Sequence, residues 1–238
     1  MIFIKLLKFF LMELQFRFFG AKGNYRGLYR STLQINEDYI NKESCDNLIQ
    51  LIDRTLQQNQ KNVWKDALAS DSRILSFESI EPNIVNLLEI DKKIVDIENY
   101  LGTKVVDWFV MANKTQFKEG NLGSGGGFHR DSAFSRQIKV IWYLSDVSTL
   151  NGPFCVELGT NNYSFKNIKE PGFGDTRFKW PNNYKEVSSK AGTELICDTR
   201  ALHGGKPIEK GSRYALTLYT FYRKGKKTEM LSNLGLNS

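Results

Sequence analysis

The feature that most constrains the fold is a series of short apolar segments in the second half of the chain, separated by Gly, Pro and Asn. The segments are rich in β-branched and aromatic residues, and we predict strands at 105–113, 128–132, 138–144, 154–158, 193–197 and 214–222. Many short strands with such turn residues between them are typical of a β-sandwich or a jelly roll. The core is therefore predicted to be mainly β.

The first half of the chain has helical patterning. Apolar residues recur at helical spacing over 41–58, where Asn41 suits the N-cap position. A second helix is predicted over 82–101 with Gly102 as its stop, and a first strand over 28–35. Helices ahead of strands predict an α+β fold. We expect one domain, 1–238, in which residues 1–102 give helical support to a β core at 103–238.

The chain contains only two histidines, His129 and His203. His129 and Asp131 are two apart on a predicted strand, so both side chains face the same way and Arg130 faces the other. With His203 they would form a 2-His-1-carboxylate facial triad, the ligand set of non-haem Fe(II) oxygenases. The alternative is that the two histidines are unrelated, since His-X-Asp alone is a short pattern.

Arg213 follows His203 by ten residues and opens a predicted strand. A guanidinium binds a carboxylate through two parallel hydrogen bonds, so Arg213 is suited to the remote carboxylate of 2-oxoglutarate. Asn113 and Gln116 lie on a neighbouring predicted strand and are further candidates for this cosubstrate site. They are equally suited to satisfying backbone groups in the sheet.

These residues, in this order, resemble the phytanoyl-CoA dioxygenase family of Fe(II)/2-oxoglutarate oxygenases. The resemblance spans roughly 104–222 and rests on four elements in order: His129-Arg-Asp131, Asn151-Gly-Pro153, the segment Ala-Gly-Thr-Glu-Leu-Ile-Cys-Asp-Thr-Arg-Ala-Leu-His203, and Arg213. It implies a cupin-like double-stranded β-helix that binds Fe(II), 2-oxoglutarate and O2. It also implies hydroxylation of an unactivated C–H bond, with release of succinate and CO2.

The chain departs from the family at one motif and keeps another. Where the family often has Pro-Gly-Ser-His after the Asn-Gly-Pro strand, residues 157–161 read Glu-Leu-Gly-Thr-Asn. Related halogenases replace the metal-binding carboxylate with a small residue, whereas this chain has Asp131. The resemblance therefore implies hydroxylation or desaturation rather than halogenation.

The segment 160–190 has weak periodicity and contains several aromatic and basic residues. Long loops within compact domains are often lids or binding loops, although this one could equally be a surface excursion anchored by its aromatics. We place Trp180 and Arg130 among the candidate substrate-binding residues and expect a small polar or anionic substrate. The Gly-rich segment 123–127 is expected to form a flexible loop at the mouth of the site.

Composition excludes several other classes. The chain of 238 residues is 41% hydrophobic and 25% charged, as in ordinary globular proteins. Its net charge of +7 comes without a nucleic-acid-binding motif, so no nucleic-acid partner is expected. Three separated cysteines fit no disulfide framework and indicate a reducing, cytoplasmic location.

Residues 1–19 are largely apolar but are interrupted by Lys5, Lys8, Glu13 and Arg17, which argues against a transmembrane span. On a helical wheel one side forms an apolar stripe: Phe3, Leu7, Phe10, Leu14 and Phe18. The favoured interpretation is a helix that packs this stripe on the protein's own core or on a homodimer partner. Contact with a membrane surface is the alternative.

Two other functions remain open at this point. One is a metal-binding cupin that catalyses a non-oxidative reaction such as isomerisation, which would have no use for Arg213. The other is a catalytically silent binding module on the same scaffold, which would tolerate loss of a metal ligand.

Overall fold

The structure is a computed structural model that describes residues 2–58, 61–132, 135–162 and 181–236. The helices in these ranges are α1 (Ile2–Phe19), α2 (Leu28–Ser31), α3 (Lys42–Gln57), α4 (Ile84–Leu87), α5 (Ile90–Leu101) and α6 (Lys226–Asn233). The strands are β1 (Leu33–Asn36), β2 (Val63–Lys65), β3 (Asp71–Ile74), β4 (Asp107–Gln116), β5 (Ile138–Tyr143), β6 (Phe154–Val156), β7 (Lys185–Val187), β8 (Glu194–Asp198), β9 (His203–Gly205) and β10 (Ser212–Phe221).

Two antiparallel sheets form the core, as the strand pattern predicted. Among the described residues, the larger sheet has seven strands in the order β1-β8-β5-β10-β4-β3-β2. In the same ranges the smaller sheet has three strands in the order β7-β6-β9, and an isolated antiparallel bridge pairs His129 with His203 of β9. The predicted strand at 128–132 is thus reduced to isolated bridges at Phe128 and His129, at the place where the site lies.

Alternation along β5 shows how the larger sheet separates core from cavity. Ile138, Val140 and Trp142 are fully buried in the cluster that joins the sheet to the helices. The intervening Lys139, Ile141 and Tyr143 line a cavity on the other face. Because side chains alternate along a strand, the helical half of the chain supports the sheet from outside and leaves the inner face for the site.

One predicted helix end is found in the structure, and two predicted elements differ from it. The side chain of Asn41 accepts a hydrogen bond from the backbone N–H of Ser44 at 2.8 Å, so the predicted cap of α3 is confirmed. The helix expected over 82–101 is divided into α4 and α5, because Glu89 adopts a left-handed conformation with φ 49°. The strand expected over 28–35 begins instead as the short helix α2 and turns into β1 at Thr32, where φ is 67°.

The N-terminal helix packs with the opposite face from the one expected. Phe9 and Phe16 are buried, whereas Leu7, Phe10, Leu14 and Phe18 of the predicted stripe are 40–67% exposed. Packing of this stripe on the protein's own core is therefore wrong. The buried face is held instead by one ion pair, Glu13–Arg200, and by two cation–π contacts, Phe9–Arg200 and Phe16–Arg136. None of the helices in the described ranges has the length and apolar character needed to cross a bilayer.

Candidate metal centre and its cavity

Three side chains from two segments meet at one point between the sheets. The backbone N–H of His129 donates to the carbonyl of His203 at 2.8 Å, and that of His203 donates back at 2.9 Å. Asp131 follows two residues later, and its N–H donates to Thr199 O at 3.1 Å. Ligand atoms of His129, Asp131 and His203 lie within 4.8 Å of one another, and each histidine Nε2 is 3.6 Å from a carboxylate oxygen of Asp131.

The donor set fits a metal ion. The Nδ1 of His129 lies 2.9 Å from Gly127 O, and the Nδ1 of His203 lies 3.0 Å from Ala201 O. A hydrogen bond from Nδ1–H to a carbonyl fixes the tautomer in which Nε2 carries the free lone pair. The Nε2 of His203 is buried and has no hydrogen-bond partner among the described residues. Buried polar atoms normally have a hydrogen-bond partner, so a buried imidazole nitrogen without one is suited to bind a metal ion.

The electrostatics favour the metal-binding protonation states. Burial is the main reason that the pKa of His203 is lowered to about 3, which keeps its imidazole neutral. Burial alone would raise the pKa of Asp131, but the ammonium of Lys139, as the main opposing charge, outweighs it and holds that pKa well below its usual range. A neutral imidazole and an ionised carboxylate are the forms that bind metal.

Lys139 is a member of the site that the sequence analysis missed. Its Nζ lies 2.9 Å from Oδ1 and 2.8 Å from Oδ2 of Asp131, and both side chains are largely buried. Burial alone would lower the pKa of Lys139, but the neighbouring Asp131 more than compensates and the pKa is raised, so the ammonium stays charged. The available signal was a single lysine within the apolar run of β5, since a cation on the inner face of a buried strand needs a partner.

Replacing Lys139 with methionine is expected to destabilise the metal-free protein. The change leaves the Asp131 carboxylate buried without its main counter-charge, which costs roughly 3 kcal/mol in comparable pairs. Denaturant unfolding with a chelator present measures the free energy of unfolding. Lys190→Met is the matched control, because the Lys190–Asp146 pair is exposed and such pairs contribute little. Equal stabilities of the two variants would contradict the assigned pair.

The three candidate metal ligands line a cavity of about 250 Å³, and the predicted cosubstrate residue Arg213 lines the same cavity. The Arg213 guanidinium is buried, contacts the carbonyl of Gly152 and lies 3.5 Å from Thr115 Oγ1. Its Nε has no hydrogen-bond partner in the described residues. A buried guanidinium with donor capacity left over, in the same cavity as the triad, suits an anionic ligand.

Two further side chains shape this end of the cavity. Asn113 lines it, as expected, and donates from its amide to Thr115 Oγ1 at 2.9 Å. Tyr143 was missed by the sequence analysis. Its hydroxyl accepts from the N–H of Phe154 at 2.8 Å and donates to Val187 O at 3.1 Å. Burial raises the pKa of Tyr143 to about 12, so the phenol stays protonated beside Arg213.

Two of the remaining candidates, Gln116 and Arg130, are described by the structure and do not line the cavity. Gln116 is on β4 but lies at the strand's end, and its amide donates to Ala69 O at 3.1 Å. Arg130 faces away from the metal ligands, as the alternation predicted, and its guanidinium donates to Thr160 O at 2.6 Å and Arg200 O at 2.5 Å. Arg130 thus ties two loops to the site segment. Trp180 and most of the expected lid at 160–190 lie outside the described residues.

The Gly-rich loop at 123–127 lies against His129, at the mouth of the cavity as expected. Gly125 has φ 86°, and a Cβ placed there would lie 2.8 Å from His129 Cε1. Gly126 has φ 68° but meets nothing within 4 Å. The two glycines therefore share a backbone requirement, and only Gly125 is also needed for space beside a ligand.

Gly125→Ala is expected to weaken Fe(II) binding more than Gly126→Ala does. Both changes strain a left-handed backbone, but only the Gly125 methyl displaces the imidazole of His129. Changes that misorient a metal ligand cost about 10–100-fold in affinity, and we expect an effect of this size from Gly125→Ala alone. Competition with a metal indicator under anaerobic conditions measures it. Equal losses in the two variants would show that the loop acts only through its backbone.

A second, larger cleft of about 970 Å³ reaches the same centre from the outside. It shares three lining residues with the first cavity: Arg73, Asp131 and Met230. The inner face of α1 and the helix α6 form its walls, for example through Phe16 and Asn233. The candidate metal centre therefore borders two cavities, a smaller one that contains Arg213 and a larger one beside α1 and α6.

No family model matches the sequence, and no curated protein matches it by sequence. The fold, however, is similar to that of solved structures. The epimerase SnoN from nogalamycin biosynthesis, in complex with Fe3+, alpha ketoglutarate and nogalamycin RO, is 15% identical with a TM-score of 0.59, over 87% of this chain and 83% of that chain. HygX from Streptomyces hygroscopicus, with nickel, 2-oxoglutarate and hygromycin B bound, is 12% identical with a TM-score of 0.57, over 81% and 84%.

A third similar structure contains a different kind of ligand, a peptide. A prolyl hydroxylase in complex with a hypoxia inducible factor peptide fragment from Trichoplax adhaerens is 15% identical with a TM-score of 0.59. The match covers 90% of this chain and 93% of that chain. At these identities the comparisons establish a shared fold. The ligands in these structures differ: Fe3+, alpha ketoglutarate and nogalamycin RO in SnoN, nickel, 2-oxoglutarate and hygromycin B in HygX, and a peptide fragment in the prolyl hydroxylase.

Proposed function

We propose that this protein is an Fe(II)- and 2-oxoglutarate-dependent oxygenase that hydroxylates an unactivated C–H bond of a small polar or anionic molecule. One observation carries the proposal. His129, Asp131 and His203 converge with a buried, unpartnered Nε2, and the buried Arg213 lines the same cavity. A facial triad beside a carboxylate-binding guanidinium is the minimum that this chemistry requires.

Strand order supports a double-stranded β-helix as the scaffold. In the larger sheet β8, β5, β10 and β4 are neighbours, and in the smaller sheet the His129 segment, β9, β6 and β7 are neighbours. Eight strands that alternate between two facing sheets in this way form a jelly roll. We propose on this basis that 1–238 is a single oxygenase domain, in a family similar to phytanoyl-CoA dioxygenase.

Each residue of the site has its own proposed role. His129, Asp131 and His203 would hold Fe(II), and Arg213 would bind the remote carboxylate of 2-oxoglutarate, with Asn113 and Tyr143 shaping the pocket. When bound, iron and 2-oxoglutarate supply C–H oxidation by O2, with succinate and CO2 as coproducts. Lys139 keeps Asp131 ionised and fixed in place. The broad cleft would admit the substrate, at the side of Asp131 where Arg73 also lies.

The neighbours also favour a second outcome of the same chemistry. SnoN is an epimerase with Fe3+ and alpha ketoglutarate in its structure, so a shared fold and cofactor set do not determine whether oxygen is inserted. For this chain hydroxylation remains our first proposal, because the resemblance to the phytanoyl-CoA dioxygenase family implies it. A non-oxidative cupin is the third candidate, and it would leave the buried Arg213 without a ligand.

Turnover of 2-oxoglutarate tests the proposed function. We expect the purified protein with Fe(II) and O2 to convert 2-oxoglutarate to succinate slowly by itself and faster with a matching substrate. Mass spectrometry of succinate and of each molecule in a panel of polar and anionic compounds is the measurement. A product heavier by one oxygen atom supports hydroxylation. If iron binds while 2-oxoglutarate is never consumed, the protein is a non-oxidative cupin and the proposed oxygenase function is wrong.

A further inference from the structure

We propose that the outer face of α1 docks on an anionic lipid surface. The face consists of large apolar side chains that are 40–70% exposed: Ile4, Leu7, Phe10, Leu11, Leu14, Phe18 and Phe19. This inference goes beyond the proposed function, since it concerns where the enzyme works and does not depend on its reaction.

The concentration of exposed apolar area is specific to α1. The amphipathic helices α3 and α5 turn their apolar residues inward, and on these two described helices the exposed large apolar side chains are limited to Val95. Isolated exposed apolar residues are ordinary, whereas a contiguous apolar face marks a contact surface. The opposite side of the helix packs against the protein, where Phe9 and Phe16 are buried. Its outer face is therefore free for an external contact.

Charge decides which partner fits this face. Residues 1–36 contain six basic residues and one acidic residue, so they carry five of the seven net positive charges of the chain. The acidic residue, Glu13, is turned inward and contacts Arg200 and Arg136. Arg17 is exposed beside the apolar residues, and Lys22, Arg26 and Arg30 follow on exposed positions. An apolar face with basic residues and no exposed acid is the pattern of helices that lie in an anionic membrane interface.

The same charges disfavour a second copy of the chain as the partner. In a symmetric dimer the face would meet itself, and Arg17 and its basic neighbours would meet basic residues without an acid to pair with. A lipid surface supplies both the apolar layer and the negative charge.

Docking through this face has a consequence for the catalytic cleft. The inner side of α1 forms one wall of the broad cleft, through Met12, Glu13, Gln15 and Phe16. The helix therefore stands between the membrane surface and the cleft that leads to Asp131. Contact with lipid and access to the cleft are coupled through one element.

Vesicle sedimentation with the purified full-length chain, without iron or 2-oxoglutarate, tests the proposal independently of catalysis. We expect binding to vesicles of equimolar phosphatidylcholine and phosphatidylserine, and at least about tenfold weaker binding to phosphatidylcholine alone. The triple variant Phe10→Ser, Leu14→Ser, Phe18→Ser should lose at least about a hundredfold in partitioning. The matched control Leu68→Ser, Val95→Ser, Val106→Ser removes three exposed apolar side chains elsewhere and should bind like the wild type.

A single surface change keeps the test decisive if the triple variant is poorly folded. Arg17→Gln should reduce binding to the anionic vesicles about fivefold and leave binding to phosphatidylcholine unchanged. Wild-type binding by the triple variant, or no preference for anionic vesicles, would overturn the proposal. A wild-type dimer in analytical ultracentrifugation that the triple variant loses, together with no vesicle binding, would assign the face to a second copy instead.

Discussion

Replacing Asp131 with alanine is expected to abolish Fe(II)-dependent formation of succinate from 2-oxoglutarate. Asp131 lies 3.6 Å from the Nε2 of both histidines and is the carboxylate of the proposed ligand set. Changes in residues that only orient metal ligands cost about 10–100-fold, and loss of a ligand itself should cost more than a hundredfold. Succinate formation and anaerobic Fe(II) titration measure the effect.

His203→Ala should give the same result by removing the buried Nε2 that has no partner among the described residues. Asp146→Ala is the control, because Asp146 is exposed and pairs with Lys190 at the surface. Circular dichroism shows whether each variant is folded, which matters because Asp131→Ala leaves Lys139 without its ion pair. Folded Asp131→Ala protein that binds Fe(II) and forms succinate like the wild type would remove the triad from the account.

Arg213→Ala is expected to weaken 2-oxoglutarate binding and to leave Fe(II) binding intact. Losing one partner of a buried, hydrogen-bonded charge pair costs roughly 2–5 kcal/mol, which is about thirtyfold or more in Kd. The dependence of succinate formation on 2-oxoglutarate concentration, with Fe(II) saturating, measures the change. The effect should appear mainly as a higher KM, since Arg213 binds the end of the cosubstrate that does not react.

Two variants define what Arg213 contributes. Arg213→Lys keeps the charge but loses the two-pronged donor geometry, so its 2-oxoglutarate affinity should fall between those of the wild type and Arg213→Ala. Arg54→Ala removes an exposed arginine from α3 and should change nothing. Unaltered 2-oxoglutarate affinity in Arg213→Ala would assign the buried guanidinium to structure alone.

Local signals in the sequence predicted the elements whose ends are fixed by nearby residues. The Asn41 cap of α3 and the Gly102 stop of α5 depend on backbone groups within one turn, and both are where the pattern placed them. The long strands β4, β5 and β10 are marked by their own apolar runs. By contrast β2, β3, β7, β9 and α6 were missed, since each is short and its strand or helix state depends on neighbours distant in sequence.

The site was predictable to the extent that two of its residues lie two apart in one short segment. Alternation placed His129 and Asp131 together and turned Arg130 away, as the structure has them. Lys139 and Arg73 reach the same centre only through sheet pairing. Lys139 lies on β5, which pairs with β10, and Arg73 lies on β3, which pairs with β4. Spacing within one segment carries no information about such pairing, so neither residue could be placed from the sequence.

The N-terminal helix shows the limit of periodicity. A regular apolar stripe was present, but periodicity says only that one face differs from the other and leaves open what each face meets. Glu13 decided the orientation by turning inward to Arg200, and the stripe was left outside. A polar contact of this kind spans most of the chain and has no local signature.

An anaerobic visible spectrum shows whether one cavity binds both Fe(II) and 2-oxoglutarate, as we propose. Metal-free protein is titrated with Fe(II) and then with 2-oxoglutarate, and Arg213→Ala is treated in parallel. We expect a metal-to-ligand charge-transfer band that grows only when both are present, and that needs a higher 2-oxoglutarate concentration in the variant. Iron binding without such a band at any 2-oxoglutarate concentration would rule out the proposed cosubstrate site.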